Sequence, residues 1–380
     1  MKIVELLLEA VAPATGRKYQ HIEDLVFTNG SHGGLHAVER LRHMGGTEGG
    51  NIELKWDGSP VVYWGRDEKG RFSMIPKNAW EYLKRGKTEL DNGVKTVLYS
   101  PEDVKSFILG TGKATPDQER QRQAFAQELA SLWAYFEKIS PKTGYLEGGL
   151  LFYPGKPAIL NPKTSDYDFT PNITSFHIPQ ASELGQRIEN AKVMVAATGY
   201  YDTLGSSDET RYPDAETLST PDVIVQGTTY VEKAPGADTT VLDKASKFIE
   251  TNAGAIDAFL SPKPGLSKPG DVLYKFYNKA LRVAGAKQGF IKWANENLSA
   301  GQAQKVLTDP GLDIILDAVE LLTDAKMKMI KSLSAGTHGG IRQTKPEGYV
   351  QAHPGGQFNK DLPGQFVKTI DQGNWAPRKD

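Results

Sequence analysis

The chain has 380 residues, a formal net charge of −1 and a hydrophobic fraction of 39%. That apolar share builds a core for two ordinary domains or for one domain with a large insertion. The balanced charge excludes a protein that gathers polyanions by its overall field, so any nucleic-acid surface must be a local patch. There is no cysteine, which removes disulfides, thiolate zinc sites and cysteine nucleophiles and fits a cytoplasmic protein.

No segment approaches the roughly 18 consecutive apolar residues of a membrane span, so no membrane partner is expected. Residues 1–10 read as an amphipathic helix, too short and too acidic for a signal peptide. The next stretch reads as short helices over 22–27 and 35–43, separated by a turn at 29–34. Strands are expected at 52–54, 61–64 and 72–75, with Asp67-Glu68-Lys69-Gly70 turning between the last two. Residues 116–139 carry Phe125, Leu129, Leu132, Trp133 and Phe136 at helical spacing and predict one long helix. Strands return at 145–152, 173–178, 192–197 and 223–231. From 241 to about 333 the pattern is helical, broken by a Pro/Gly-rich stretch at 261–270, and strands at 348–351 and 365–370 close the chain. The order of strands, helical block and strands predicts an α+β fold with a helical insertion. The expected division is a helical arm (1–48), a core (49–240), the insertion (241–335) and a return to the core (336–380).

Chemistry concentrates in Glu53-Leu54-Lys55-Trp56-Asp57-Gly58-Ser59, a strand entering a tight turn. A lysine is a nucleophile only when deprotonated, which burial or neighbouring cations arrange, and a glycine lets backbone pass close to a phosphate. Alone, the string equally suits a surface hairpin. Two further strands carry charge among apolar residues: Glu147 in Tyr145-Leu146-Glu147-Gly148-Gly149, and Lys368 in Phe366-Val367-Lys368-Thr369-Ile370. Between them Glu347 and Gly348 lead into Tyr349-Val350. A lysine in an otherwise buried strand is costly unless an anion meets it, although an ion pair or an edge strand answers that cost as well.

In this order the segments resemble the covalent nucleotidyltransferases, the ATP-dependent DNA ligases, RNA ligases and mRNA capping enzymes, and most closely the RNA ligases of phage type. The resemblance implies an ATP-grasp-like adenylyltransferase domain of antiparallel sheets. Lys55 would be the nucleophile, Asp57 would orient it or the ribose, and Glu53 and Gly58 would lie near the nucleotide. Glu147 and Glu347 would hold Mg²⁺ or Mn²⁺, Phe176 of Ser175-Phe176-His177-Ile178 would stack on the base, and Lys368 would hold the phosphates. Lys77 would stand for the basic residue that follows the nucleophile motif. The pattern departs in having His177 where an acidic residue is usual and Ile370 where a second lysine is common. Ten residues follow Ile370, so no C-terminal OB domain is expected. The implied activity is ATP-dependent joining or adenylylation of RNA ends through lysyl-AMP by a cytoplasmic monomer. Alternatives are transfer to a non-polynucleotide acceptor, or a catalytically silent nucleic-acid-binding protein on this scaffold.

Residues 261–305 hold eight Lys/Arg against two acids, with Tyr274, Phe276, Tyr277, Phe290 and Trp293 interleaved. Such a segment is either a strand-binding surface using phosphate contacts and stacking, or a helical subdomain with its aromatics in the core. His21, His32, His36 and His43 suggest a metal site only weakly, because Gly33-Gly34 argue for a loop between the one helically spaced pair. The Gly336–Gly340 run reads as a hinge.

Overall fold

The computed structural model describes residues 22–45, 52–54, 56, 58–111, 115–172, 174–210, 212, 214–227, 229, 239–277, 286–334, 340–344, 348–351 and 370–371. A 3-10 turn leads into α1 (Leu25–Gly45) and β1 (Ile52–Leu54). A hairpin follows, β2 (Val61–Arg66) and β3 (Phe72–Pro76), then α2 (Lys77–Leu83), α3 (Pro101–Gly110), α4 (Pro116–Ser131) and α5 (Trp133–Lys138). Next come β4 (Gly144–Phe152), β5 (Ile159–Asn161), β6 (Asp166–Phe169), β7 (Ser175–Pro179), α6 (Glu183–Ile188), β8 (Val193–Tyr201) and β9 (Val223–Gln226). Six helices succeed them: α7 (Thr240–Thr251), α8 (Ala253–Leu260), α9 (Pro269–Lys275), α10 (Ala286–Asn297), α11 (Ala300–Leu307) and α12 (Gly311–Ser334). Three short strands end the described chain: β10 (Arg342–Thr344), β11 (Gly348–Gln351) and β12 (Ile370–Asp371). The fold is α+β, with predominantly antiparallel sheets.

The chain divides into two compact units. One comprises residues 56–229 and 338–346. Its five-stranded sheet runs β3-β2-β4-β8-β9, antiparallel except for the parallel pair β8–β9. Trp64, Met74, Trp80, Phe107, Phe136 and Leu146 are buried against it. Trp64 keeps its indole N–H satisfied by donating to the Ile139 carbonyl at 3.2 Å. A four-stranded antiparallel sheet, β10-β7-β6-β5, completes this unit. Helices start where the sequence caps them: the Ser100 hydroxyl accepts from the Asp103 N–H, and Thr115 and Gln118 form a capping box before Pro116.

The other unit comprises residues 1–55, 230–337 and 347–380. In it α1 packs with α7, α8, α9 and α12, and β1, β11 and β12 form a small antiparallel sheet. The N-terminal arm and the helical insertion, separated by almost 200 residues of chain, thus build one body.

Three local expectations are corrected. The break expected over 29–34 is present but narrow: α1 is two helical segments that meet at a kink at Gly30, whose φ is +62°, and residues 31–34 belong to the second. Asp257 of α8 caps the second segment, accepting from the Ser31 N–H at 2.8 Å and from its hydroxyl at 2.9 Å. Gly33 and Gly34 serve packing instead: a Cβ at Gly33 would lie 2.0 Å from the Leu25 carbonyl oxygen, and one at Gly34 would lie 3.0 Å from Ile249. Residues 116–139 form two helices that part at Leu132, and β9 ends at Gln226. The hairpin β5–β6 and strand β10 give no clear signal in the sequence.

Candidate functional site

The segment that follows β1 spans the division between the units, which falls between Lys55 and Trp56. Lys55 and Asp57 lie outside the described residues. Trp56 is 8% exposed, its ring stacked on Phe176 at 4.8 Å and 28°, and its indole N–H donates to Thr229 Oγ1 at 3.1 Å. Gly58 presses its backbone on β4: a Cβ there would lie 2.3 Å from the carbonyl of Gly149. The contact is sealed by Ser59 N–H donating to Leu150 O at 2.8 Å and by Leu150 N–H donating to Pro60 O at 3.0 Å. The glycine assigned to phosphate approach is therefore required by the neighbouring strand, whatever ligand binds.

In the helical unit, β1, β11 and β12 gather three distant segments. The register pairs Glu53 with Val350 and Leu54 with Tyr349 on one side of β11, and Tyr349 with Ile370 on the other. Lys55 is the next residue after Leu54, Glu347 precedes Gly348, and Lys368 stands two residues before Ile370. Glu347 and Lys368 also lie outside the described residues, as does Phe366.

Glu147 sits in the middle of β4, opposite Tyr63 of β2 and Gly199 of β8. It is half-buried, and its Oε2 accepts from the Tyr201 hydroxyl at 2.6 Å. The Tyr63 phenol lies near the same carboxylate, opposite it on β2. Burial first, and the Glu147 charge second, push both phenols well above the usual tyrosine range. Trp80 stacks on Tyr63 at 4.3 Å, with the two rings within 3° of parallel. Strand order sets this carboxylate between two tyrosines, one of which donates to it. Spacing alone did not disclose Tyr63 and Tyr201, because their alternation reads as ordinary core. Lys77 is exposed at the start of α2.

Phe176 is fully buried, with Phe169 at 5.4 Å and 21° as its second stacked neighbour. In this packing it anchors Trp56 and offers no free ring for a base, contrary to its expected role. On the other face of the same sheet, His177 Nδ1 meets Asp168 Oδ1 and its Nε2 meets Thr344 Oγ1, each at 2.8 Å. Asn161 donates to the second Asp168 oxygen at 2.9 Å, and Arg342 pairs with Asp166. Burial pulls the Asp168 carboxyl upward, but hydrogen bonds from Asn161 and His177 outweigh it and hold Asp168 below the ordinary range.

In the 261–305 segment Phe276, Tyr277 and Phe290 are buried, and their rings pack with Phe27 and Trp293. These aromatics are core and supply no stacking platform. Lys263 pairs with Asp309, and Lys305 donates to the Pro264 carbonyl. Lys268, Lys275 and Lys292 are exposed. His32 and His36 share α1, correcting the loop expected between them, and the Arg40 Nε–H donates to His36 Nε2 at 3.3 Å. Among the described residues no three His, Asp or Glu side chains are placed to hold a metal ion, and no helix is long and apolar enough to cross a membrane.

A family of unknown function, DUF6267, matches residues 18–79, a stretch that contains α1, the whole Glu53–Ser59 string and Lys77. No curated protein and no solved structure matches the chain.

Proposed function

We propose that the chain is an ATP-dependent nucleotidyltransferase of the ligase type, built on an ATP-grasp-like core, that carries AMP on Lys55 and passes it to an RNA end. The observation that carries this reading is the β1–β11–β12 sheet. It aligns the strand before Lys55 with the strand after Glu347, and that strand with the one after Lys368, although almost 300 residues separate the first from the second. The three short strands that adjoin the proposed nucleophile, carboxylate and phosphate-binding lysine in sequence are neighbours in this sheet, which supports the reading.

In the proposed reaction the neutral Lys55 amine attacks the α-phosphorus of ATP, an N–P bond forms, and the bond to pyrophosphate breaks. Charge develops on the phosphates during this step, and Lys368 offsets it. Mg²⁺ or Mn²⁺, hard cations that take oxygen ligands and keep several waters, would supply further neutralisation, with Glu347 as the proposed ligand in the helical unit. In the other unit the Tyr201 hydroxyl holds the Glu147 carboxylate, the second acidic group singled out by the resemblance. The RNA end then takes AMP from Lys55. Burial of Phe276, Tyr277 and Phe290 takes these three rings out of the proposed stacking surface in 261–305. A non-polynucleotide acceptor is the second reading for this later step.

The test is incubation with α-labelled ATP and Mg²⁺. A label on the protein that is labile to acid, stable to alkali and absent in Lys55→Ala supports the reading. Wild-type protein that takes no label from ATP or GTP refutes it. A chase of labelled protein with 5′-phosphorylated RNA separates the two acceptors.

A further inference from the structure

The four-stranded sheet has one face filled by Tyr167, Phe169, Phe176 and Ile178. Its other face carries Asp168, His177 and Thr344 from three different strands, hydrogen-bonded in series. Asp168 accepts at both oxygens, from His177 and from Asn161. An ionised carboxylate can only accept, so the imidazole carries its proton on Nδ1. Nε2 is then left as the acceptor for the Thr344 hydroxyl. Carboxylate, imidazole and hydroxyl in that order are the parts of a hydroxyl nucleophile with its general base and orienting group.

A polar ladder built for stability alone has no need of this order. A cross-strand pair contributes only about 0.2–1 kcal/mol, and Thr344 is exposed, so water would satisfy its hydroxyl. The hydroxyl is instead held on the free nitrogen of an imidazole whose far side is fixed by a doubly bonded carboxylate. Thr344 also pairs in register with Ser175, whose hydroxyl is hydrogen-bonded to Thr170 at 2.7 Å. A second hydroxyl therefore stands beside the first without a base of its own.

We propose that Thr344, His177 and Asp168 form a second reactive centre that attacks activated carboxylic esters and their organophosphorus analogues. Thr344 Oγ1 bonds to the ester carbonyl carbon while its proton passes to His177 Nε2. The tetrahedral adduct expels the alcohol, which takes that proton, and leaves an acyl-Thr344 ester. Water, deprotonated by Nε2, then releases the acid and restores the threonine. With a fluorophosphonate the same attack forms an O–P bond as the P–F bond breaks, fluoride departs, and the product stays on the protein. The centre uses neither ATP nor Lys55, so it stands or falls separately from the adenylyl-transfer reading.

The experiment treats the full chain with a rhodamine-tagged fluorophosphonate and maps the adduct by peptide mass spectrometry. The expected result is an adduct on Thr344 in native protein and none in heat-unfolded protein. Removing a general base costs about 10²- to 10⁴-fold, so His177→Gln should slow labelling at least tenfold. Thr344→Val keeps the side-chain shape at an exposed position and should abolish it, with an unchanged melting curve. Ser175→Ala should label as the wild type does. Native protein that labels no faster than unfolded protein, or a Thr344→Val variant that labels normally, overturns the proposal.

Discussion

Replacing Gly58 with alanine separates two explanations of the glycine in the Lys55 segment. A Cβ at this position meets the Gly149 carbonyl carbon and oxygen at 2.3 Å, and both atoms are backbone in the centre of a sheet. Relief to an ordinary contact requires roughly 1 Å of movement, and forced overpacking of this kind costs about 1–3 kcal/mol. The shift also strains the Ser59–Leu150 and Leu150–Pro60 hydrogen bonds, each contributing about 1 kcal/mol. Gly58→Ala is therefore expected to lose about 3–4 kcal/mol, most of it in the unit built on β4. Urea denaturation followed by tryptophan fluorescence reads this loss, since Trp56 and Trp64 belong to that unit. A variant within about 0.5 kcal/mol of the wild type, the range of a neutral surface change, would refute the packing account. The glycine would then return to a purely ligand-facing role.

Other outcomes follow from the same geometry. Phe176→Ala removes a buried ring between Trp56 and Phe169 and should cost about 3–5 kcal/mol, measured as a lower denaturation midpoint with a changed Trp56 emission. Asp257→Ala leaves the Ser31 N–H and hydroxyl without their acceptor and should cost about 1–2 kcal/mol; no change in thermal midpoint would exclude Asp257 as the cap. The pH dependence is alkaline. Burial and the Glu147 charge raise Tyr63 and Tyr201 well above the usual tyrosine range, and burial pushes Tyr145 up to about 12. Above pH 10 the unfolded chain loses phenolic protons that the folded chain keeps, so stability present below that pH falls as pH rises. Each such group contributes a slope of about 1.4 kcal/mol per pH unit, and Tyr201→Phe should flatten the decline in denaturation series between pH 9 and 11.

Much of the architecture was legible because pattern and packing agree there. The hairpin at Asp67–Gly70, the strand through Glu147 and the helices after Thr240 each carry the period or turn chemistry of the element formed. In the stretch 29–34 the glycines do mark a break between helices, at Gly30, but its extent was not legible because contacts to Asp257 and Ile249 carry 31–34 into the second segment. The β5–β6 hairpin was hidden by a turn whose positive-φ residue is Ser165, not glycine. For the candidate site, the sequence supplied the order of charged segments but not their surroundings. That Phe176 lies under Trp56, that Glu147 accepts from Tyr201, and that His177 bridges Asp168 and Thr344 depend on which strands pair. Strand pairing across 160 residues leaves no local signature in the chain. The aromatics of 261–305 had two compatible readings, and burial assigns Phe276, Tyr277 and Phe290 to the core.

The most direct measurement is the intact mass of the protein after incubation with ATP and Mg²⁺, followed by peptide mapping. The account predicts a gain of one adenylyl group, located on Lys55 and lost when pyrophosphate is added back. An unchanged mass, or an adenylyl group carried by a different residue, would contradict it.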